Sequence, residues 1–133
     1  MSLKDPIATS SKAGLDFAKI FYKTFDEKRH LLGNIYQDDA QVIWNGNPYV
    51  GKEAITKFYT SLPHSETNLL SVDAQPINTK FQEGKPTVLV TCAGDVRLKG
   101  LQNAGFTENF VVTAEGSTWK VLRGTFRFHE PAP

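Results

Sequence analysis

Side chains that could act as general acids or bases are spread along the whole sequence. The candidates are two tyrosines, one histidine and four aspartates, namely Tyr22, Tyr59, His30, Asp38, Asp39, Asp73 and Asp95. General acid–base catalysis needs such groups to converge on one pocket, where burial and neighbouring charges shift their pKa values. We predict that Asp38 and Asp39 lie in a polar loop and that His30 is structural. The sequence therefore favours a protein without catalytic residues.

Gly46, Gly51 and Lys52 have the spacing of the glycines and lysine in a phosphate-binding loop. That motif needs a serine or threonine after the lysine to bind magnesium, and Glu53 stands there instead. Pro48 also removes one backbone N–H from the loop that would surround the phosphate. We therefore interpret Gly51 as a turn residue before a helix and predict no nucleotide site.

Metal and redox chemistry have equally little support in the sequence. No two histidine or cysteine residues have the spacing of metal ligands. The single cysteine, Cys92, lies in the apolar segment 88–94 and is predicted to be a buried small hydrophobe rather than a nucleophile. We predict neither a metal nor a cofactor.

The length and charge of the chain argue against several classes of function. We predict one domain covering residues 1–133, with a core at about 9–128 and a loose C-terminal tail. Fifteen basic and fourteen acidic residues leave a net charge of +1, which argues against direct binding of nucleic acid. A lone cysteine suits a reducing compartment, and no apolar run predicts a membrane span or a secretory signal. These features favour a soluble intracellular protein.

Apolar residues at helical spacing predict a first helix near the N-terminus. Asp5 and the cluster Thr9–Ser11 offer side-chain oxygens that could cap its first turn. The face expected to pack on a core consists of Leu15, Phe17, Ala18, Ile20, Phe21, Tyr22 and Phe25.

Shorter elements and then long strands are predicted to follow. We expect a short helix over 31–36, a strand over 41–44, a hairpin turn at Asn45-Gly46 and a helix over 52–62. Four strands are predicted thereafter, with Gly94 marking a bulge in the second and with turns at Gly84–Pro86, Gly100–Gly105 and Gly116-Ser117; they span 68–78, 87–98, 106–115 and 118–128.

Helices followed by antiparallel strands predict an α+β fold in which three helices lie on one face of a strongly curved, mainly antiparallel sheet. Three helices of this length can cover only one face of a sheet of four to six strands. The opposite face must therefore meet water or a partner.

The last predicted hairpin, residues 106–128, has the clearest alternation. One parity is apolar apart from Glu108, which is typical of strands that are buried on one side. The other parity is mixed, and tryptophan and valine beside two arginines indicate that it contacts a partner. Its members are Asn109, Val111, Thr113, Trp119, Val121, Arg123, Thr125 and Arg127. A bulge near Arg123-Gly124 would turn Arg127 inward.

The order of elements, together with a series of short motifs, resembles the nuclear transport factor 2-like family. The motif around the hairpin and the next helix contains Trp44-Asn45-Gly46-Asn47, Gly51–Ile55 and Leu62-Pro63. Further motifs resemble the export-related light subunits of that family, and they lie at Arg29–Leu32, Val42–Asn47, Leu62–Ser65, Asp73–Pro76, Thr87–Val90 and Phe126–Phe128. Each motif is weak alone, but they occur in matching order over most of the chain.

This resemblance implies a cone-shaped fold whose open sheet face pairs, as a 1:1 heterodimer, with a like-folded domain of the large messenger-RNA export receptor. It implies that Arg127 forms an ion pair with an acidic residue of that partner. It also adds Asp73 and Gln75 to the interface. The expected role is nuclear export through the pore, where phenylalanine-glycine repeats are met indirectly through the partner, and the expected location is the nucleus and the nuclear pore.

The family contains other functions that remain alternatives for this chain. Some members are homodimeric nucleocytoplasmic carriers, and enzymes of the same fold are isomerases and dehydratases with an acid or base inside the cone. The homodimeric carrier is the first alternative, and the small-molecule enzyme is the weaker one.

Overall fold

The computed structural model describes residues 4–77 and 86–129, with side chains from residue 9 onward. Helix α1 spans Lys4–Glu27, a 3-10 helix spans Arg29–Ile35, and helix α2 spans Lys52–Ser61. The strands are β1 (Tyr36–Trp44), β2 (Asn47–Val50), β3 (Ser65–Pro76), β4 (Thr87–Leu98), β5 (Ala104–Glu115) and β6 (Thr118–Phe128). Among these described helices, none combines the length and apolarity that a membrane span requires.

The six strands form one sheet in the order β2-β1-β6-β5-β4-β3. Every neighbouring pair is antiparallel except β1 and β6, which run parallel. Helix α1 packs on β3 and β4, and α2 packs on β1 and β2. The predicted α+β fold, with helices on one face of a mainly antiparallel sheet, is confirmed.

Helix α1 buries a narrower stripe than its sequence predicts. Phe17, Phe21 and Phe25 are at most 5% exposed, with Ala18 and Tyr22 beside them. Leu15 and Ile20 were expected on this face, but they are 41% and 61% exposed because they lie at its margins. The capping prediction is also wrong, since the helix already begins at Lys4 and the predicted capping residues lie inside it.

The connection between α1 and α2 differs from the prediction in one respect that matters for function. The predicted short helix exists as the 3-10 helix, but β1 begins at Tyr36 instead of residue 41. Asp38 and Asp39 therefore belong to a strand, and their prediction as loop residues is wrong. The predicted hairpin is confirmed, because Asn45 and Gly46 have φ of 48° and 89° and join β1 to β2.

Aromatic rings fill the space between the helices and the sheet. Trp44 of β1 stacks on Phe126 of β6 with ring centroids 3.8 Å apart. Phe110 of β5 contacts both Phe17 and Phe21 of α1, at centroid distances of 5.1 and 4.6 Å. A cavity lined by ten side chains, including that of Phe21, has a volume of about 10 Å³. That volume is at the lower limit for a single water molecule.

Arg29 joins three elements at the end of α1. Its guanidinium donates hydrogen bonds to the carbonyl oxygens of Leu62 and Pro63 at 2.8 and 2.7 Å, and to Ser65 Oγ at 2.7 Å. Asp26 accepts a hydrogen bond from Ser65 Oγ at 2.6 Å. Partial burial lowers the pKa of Arg29, and the Asp26 carboxylate acts in the opposite direction. These contacts give the charged residues around Arg29 a structural role, because they tie the end of α1 to the segment between α2 and β3.

The predicted bulge near Gly94 is present, but the extra residue belongs to the neighbouring strand. Leu69 pairs with Gly94 and Ser71 with Ala93, so Leu70 has no partner on β4. A Cβ atom on Gly94 would lie 2.2 Å from the carbonyl oxygen of Asn68. Glycine is therefore required where the two backbones approach each other.

Replacing Gly94 by alanine is expected to lower the free energy of unfolding by about 1–3 kcal/mol, because β3 must move away from the new methyl group. Urea unfolding followed by circular dichroism measures the change. Gly124→Ala in β6 is the matched control, since the nearest atom to its added Cβ would be 3.7 Å away. Equal stability of the two variants would contradict the close approach.

The structure describes His129, the first residue after the predicted core. The backbone N–H of His129 donates to the carbonyl oxygen of Gly105 at 2.8 Å, and its ring hydrogen-bonds to Thr107 Oγ1. His129 is therefore attached to the sheet, contrary to the prediction of a tail that is loose from this residue. Residues 130–133 and the predicted turn residues Gly84 and Lys85 lie outside the described part of the chain.

Candidate partner-docking surface

The face of the sheet opposite the helices is exposed or half-buried, as the helix count predicts. Along β4 and β5 the inward residues are buried, while alternate residues stay accessible. We call this accessible side the outer face. Its central part contains Gln41, Ile43, Ser71, Asp73, Gln75, Leu89, Thr91, Ala93, Thr107, Asn109, Val111, Arg123, Thr125 and Arg127.

Strand register arranges twelve of these side chains, all except Gln41 and Ile43 of β1, in three rows that we call the central rows. The first row runs from Gln75 on β3 through Leu89 and Val111 to Arg123 on β6. The second row consists of Asp73, Thr91, Asn109 and Thr125, and the third of Ser71, Ala93, Thr107 and Arg127. Thr91 Oγ1 donates to Asn109 Oδ1 at 2.9 Å, which holds the centre of the second row together.

A bulge at Leu122 divides β6 into two segments. Odd-numbered side chains point towards the helices before the bulge and towards the outer face after it. Val111 pairs with Arg123 whereas Val112 pairs with Val121, so Leu122 is the extra residue. Val121 is 0% exposed and Trp119 packs against the core, so predicting them on the mixed face is wrong. Because the bulge precedes Arg123, the side chains of Trp119 and Val121 point to the opposite face from the one that strict alternation predicts. Arg123, Thr125 and Arg127 follow the bulge and point outward as predicted.

Thr113 also differs from its prediction as a surface residue. Thr113 follows Asn109 and Val111 at alternate positions of β5 and would therefore point to the outer face, but its side chain is 0% exposed. Thr113 Oγ1 donates to the carbonyl oxygen of Pro86 at 3.0 Å and accepts a hydrogen bond from Thr87 Oγ1 at 3.2 Å. These local contacts bury the hydroxyl within the monomer, so a partner cannot reach it.

The two arginines of the outer face have different surroundings. Arg123 donates a short hydrogen bond to Oε1 of Gln41 on the parallel neighbour β1. Arg127 is exposed and, among the residues that the structure describes, has no hydrogen-bond or ion-pair partner. The other predicted interface residues, Asn109 and Val111, are half-buried, and Thr125, Asp73 and Gln75 are exposed. Within the described part of the chain, the outer face thus offers a guanidinium that has no partner, beside half-buried apolar and amide groups.

Two of the seven acid–base candidates, Tyr22 and Tyr59, lie together inside the molecule. They line the same cavity as Glu108, which was not a candidate. Tyr22 donates a hydrogen bond to Glu108 Oε1 at 2.8 Å, and Tyr59 lies 3.0 Å from Tyr36 between hydroxyl oxygens. His30, Asp38, Asp39, Asp73 and Asp95 are not part of this group. Glu108 is the one charged residue among the apolar alternate positions of β5. A carboxyl at a position expected to be buried was the feature of the sequence that could have indicated it.

Burial dominates the electrostatics of this interior group. Glu108 is 2% exposed, and burial raises the pKa of its carboxyl from 4.5 to about 8, although the hydrogen bond from Tyr22 acts in the opposite direction. Burial also raises the pKa of Tyr22, Tyr36 and Tyr59 well above 10.0. Cys92 has a pKa raised by burial to about 12, which agrees with its prediction as an inert core residue.

The segment whose spacing resembles a phosphate-binding loop has a different backbone arrangement. The residues between Gly46 and Gly51 form strand β2, and α2 begins at Lys52, so this segment is not the loop that such a motif requires. Asp38 and Glu53 line the surface at that helix start and would repel an anion. Within residues 4–77 and 86–129, no group of three or more potential ligand residues could hold a metal ion.

Comparison with known proteins assigns the chain to a family. A profile described as the nuclear transport factor 2 (NTF2) domain matches residues 13–128. The chain belongs to the NTF2 domain family. NTF2-related export protein 1 of Bos taurus is 33% identical over 134 residues, which cover 98% of this chain and 96% of that protein. Nuclear transport factor 2 of Eremothecium gossypii is 29% identical over 119 residues, covering 87% and 91% of the two chains.

Solved structures show the same NTF2 fold at low sequence identity. Nuclear transport factor 2 of Cryptosporidium parvum superimposes with a TM-score of 0.76 at 22% identity, covering 89% of this chain and 93% of the other. A chain of the Candida albicans Mtr2-Mex67 M domain complex superimposes with a TM-score of 0.71 at 16% identity, covering 97% and 99%. The resemblance inferred from the sequence motifs is confirmed at the level of family and fold.

Proposed function

We propose that this protein is a non-catalytic light subunit that pairs through its outer face with the similarly folded domain of a large messenger-RNA export receptor. The observation that carries the proposal is the outer face itself, which holds half-buried apolar and amide groups beside Arg127, a residue without a polar partner among the described residues. A face of this composition matches protein interfaces, where arginine is enriched and the centre is less charged than the surrounding surface.

The names of the relatives support the export role. Export proteins from Bos taurus and Mus musculus cover nearly the whole chain at 33% and 34% identity. Mtr2 of Candida albicans offers a precedent for the assembly, because Mtr2 has this fold and forms a complex with the Mex67 M domain. We extend that arrangement to this chain as a 1:1 heterodimer.

The proposed pathway places the heterodimer in the nucleus and at the nuclear pore, from which it shuttles to the cytoplasm. The light subunit contacts neither RNA nor membranes, and phenylalanine-glycine repeats of the pore are bound through the large partner. A net charge of +1 supports the absence of direct RNA binding, because neutralising several phosphates requires a basic surface.

The interior of the cone favours a binding subunit over an enzyme. Glu108 and Tyr22 are a carboxyl and a hydroxyl that could serve acid–base catalysis in an open pocket. The space beside them is about 10 Å³, whereas small-molecule sites are roughly 300–1,000 Å³. A substrate would have to displace the aromatic side chains that form the core.

Mixing the purified chain with the NTF2-like domain of the large export receptor tests the proposal. Size-exclusion chromatography with light scattering should show a 1:1 complex, and calorimetry should give a stoichiometry of one. The isolated chain at 14.8 kDa is the reference mass. A stable species of twice this mass that does not exchange with the receptor domain would instead support the homodimeric carrier.

A further inference from the structure

Charged residues of the central rows are separated by sign across the outer face. Arg123 and Arg127 both lie on β6, in the first and third rows. Asp73 lies on β3, at the opposite end of the second row. Between them, β5 and β4 contribute only Thr91, Ala93, Leu89, Thr107, Asn109 and Val111 to these rows, none of which carries a charge.

The two charged ends are too far apart to neutralise each other. Strands β6 and β3 are separated by three strand spacings, which amounts to about 14 Å. This distance exceeds the Debye length of about 8 Å at physiological ionic strength. In the part of the chain that the structure describes, Asp73 and Arg127 make no ion pair, and the Glu66–Arg97 pair lies outside the central rows. Both ends are therefore available to an external charge.

We infer that this separation of charge sets the orientation in which the partner docks: the partner presents carboxylates to Arg123 and Arg127 on β6 and a lysine or arginine to Asp73 on β3. The inference rests on the proposed function, because the occupant is the like-folded domain of the large receptor. Docking in the reversed orientation would bring like charges together at both ends. Because such contacts disfavour association, the neutral centre is expected to pack in one direction only.

Charge reversal at the acidic end tests this inference. Asp73→Lys is expected to raise the Kd for the receptor's NTF2-like domain by about 10- to 100-fold, and Asp73→Asn by about 3- to 10-fold. The loss should appear partly in the association rate and should shrink between about 50 mM and about 500 mM NaCl, since salt screens the attraction. Asp16→Lys on α1 makes the same charge change away from the outer face and should leave the Kd unchanged.

A rescue experiment decides the orientation. Each exposed lysine and arginine on the sheet face of the receptor domain is changed to glutamate and titrated against the wild-type chain, Asp73→Lys and Arg127→Glu. One of these receptor variants should recover at least about tenfold in Kd with Asp73→Lys and none with Arg127→Glu. Circular dichroism and melting curves confirm that each variant is folded before its Kd is compared.

The outcomes separate this inference from the function on which it rests. If the wild-type chain does not bind the receptor domain, the proposed function fails and this inference fails with it. If the wild type binds but Asp73→Lys binds equally well at about 50 mM NaCl, the heterodimer stands and the orienting role of Asp73 is refuted. If the receptor variant that rescues Asp73→Lys also rescues Arg127→Glu, the orienting role is refuted as well. In that case one receptor residue would not distinguish the β3 end of the outer face from the β6 end.

Discussion

Replacing Arg127 by alanine is expected to weaken binding of the receptor's NTF2-like domain by about 2–5 kcal/mol, which corresponds to roughly 30- to 5,000-fold in Kd. The guanidinium has no ion-pair or hydrogen-bond partner among the described residues, so it can donate two parallel hydrogen bonds to a partner carboxylate. When the interface closes, removal of the arginine leaves that carboxylate buried and unpaired. Most of the expected loss comes from this stranded charge.

Two further variants distinguish the ion pair from general charge. Arg127→Lys keeps the positive charge but loses the planar fork of donors, and it should bind with an intermediate Kd. Lys23→Ala removes a positive charge from exposed helix surface and should bind as the wild type does. Because Arg127 is exposed in the monomer, its alanine variant should melt at the wild-type temperature. A Kd for Arg127→Ala within about twofold of wild type would show that the interface lies elsewhere.

The buried carboxyl of Glu108 is expected to make stability fall as the pH rises. Its pKa is about 8 in the folded protein and 4.5 as an ordinary glutamate, so the folded state binds the proton more tightly. Its contribution to the free energy of unfolding is therefore fully present below pH 4.5 and is lost as the pH rises through about 8. Each pKa unit is worth about 1.4 kcal/mol, which makes the full loss on the order of 5 kcal/mol.

Glu108→Gln should remove this dependence, because the amide cannot ionise and still offers an oxygen to the Tyr22 hydroxyl. Urea unfolding at pH 5, 7 and 9 should show a falling free energy of unfolding for the wild type and a nearly constant one for the variant. Glu53→Gln, at an exposed position of α2, is the control for loss of one carboxyl. The buried tyrosines have pKa values raised above 10.0 and do not titrate in this range.

A pH-independent wild type between pH 5 and pH 9 would contradict the protonated interior carboxyl. Greater stability of Glu108→Gln at pH 9 together with unchanged binding of the receptor domain would show that Glu108 is a core residue and not part of the interface. The same variant bears on the enzyme alternative, because a catalytic carboxyl would be needed for activity, whereas a core carboxyl is dispensable.

Much of this fold can be predicted from sequence because regular alternation is a local property of one strand. The bounds predicted for β4 and β6, 87–98 and 118–128, are those observed. The hairpin at Asn45-Gly46 was equally predictable, since positive φ at both turn residues selects these two amino acids. The uncovered sheet face followed from the number of helices, and the order of motifs indicated the family.

The sequence by itself also placed Arg123, Thr125 and Arg127 together on the accessible side of one strand, because their spacing of two is the period of a strand. Only the tertiary structure decided that Trp119 and Val121 turn inward. The bulge at Leu122 is a relation between β6 and β5, and a count along one chain cannot show where a neighbouring strand skips a residue. For the same reason the sequence could not show that Glu108 is buried, because its burial depends on the packing of α1 against the sheet. That burial raises the pKa of the carboxyl to about 8, although the hydrogen bond from Tyr22 lowers it.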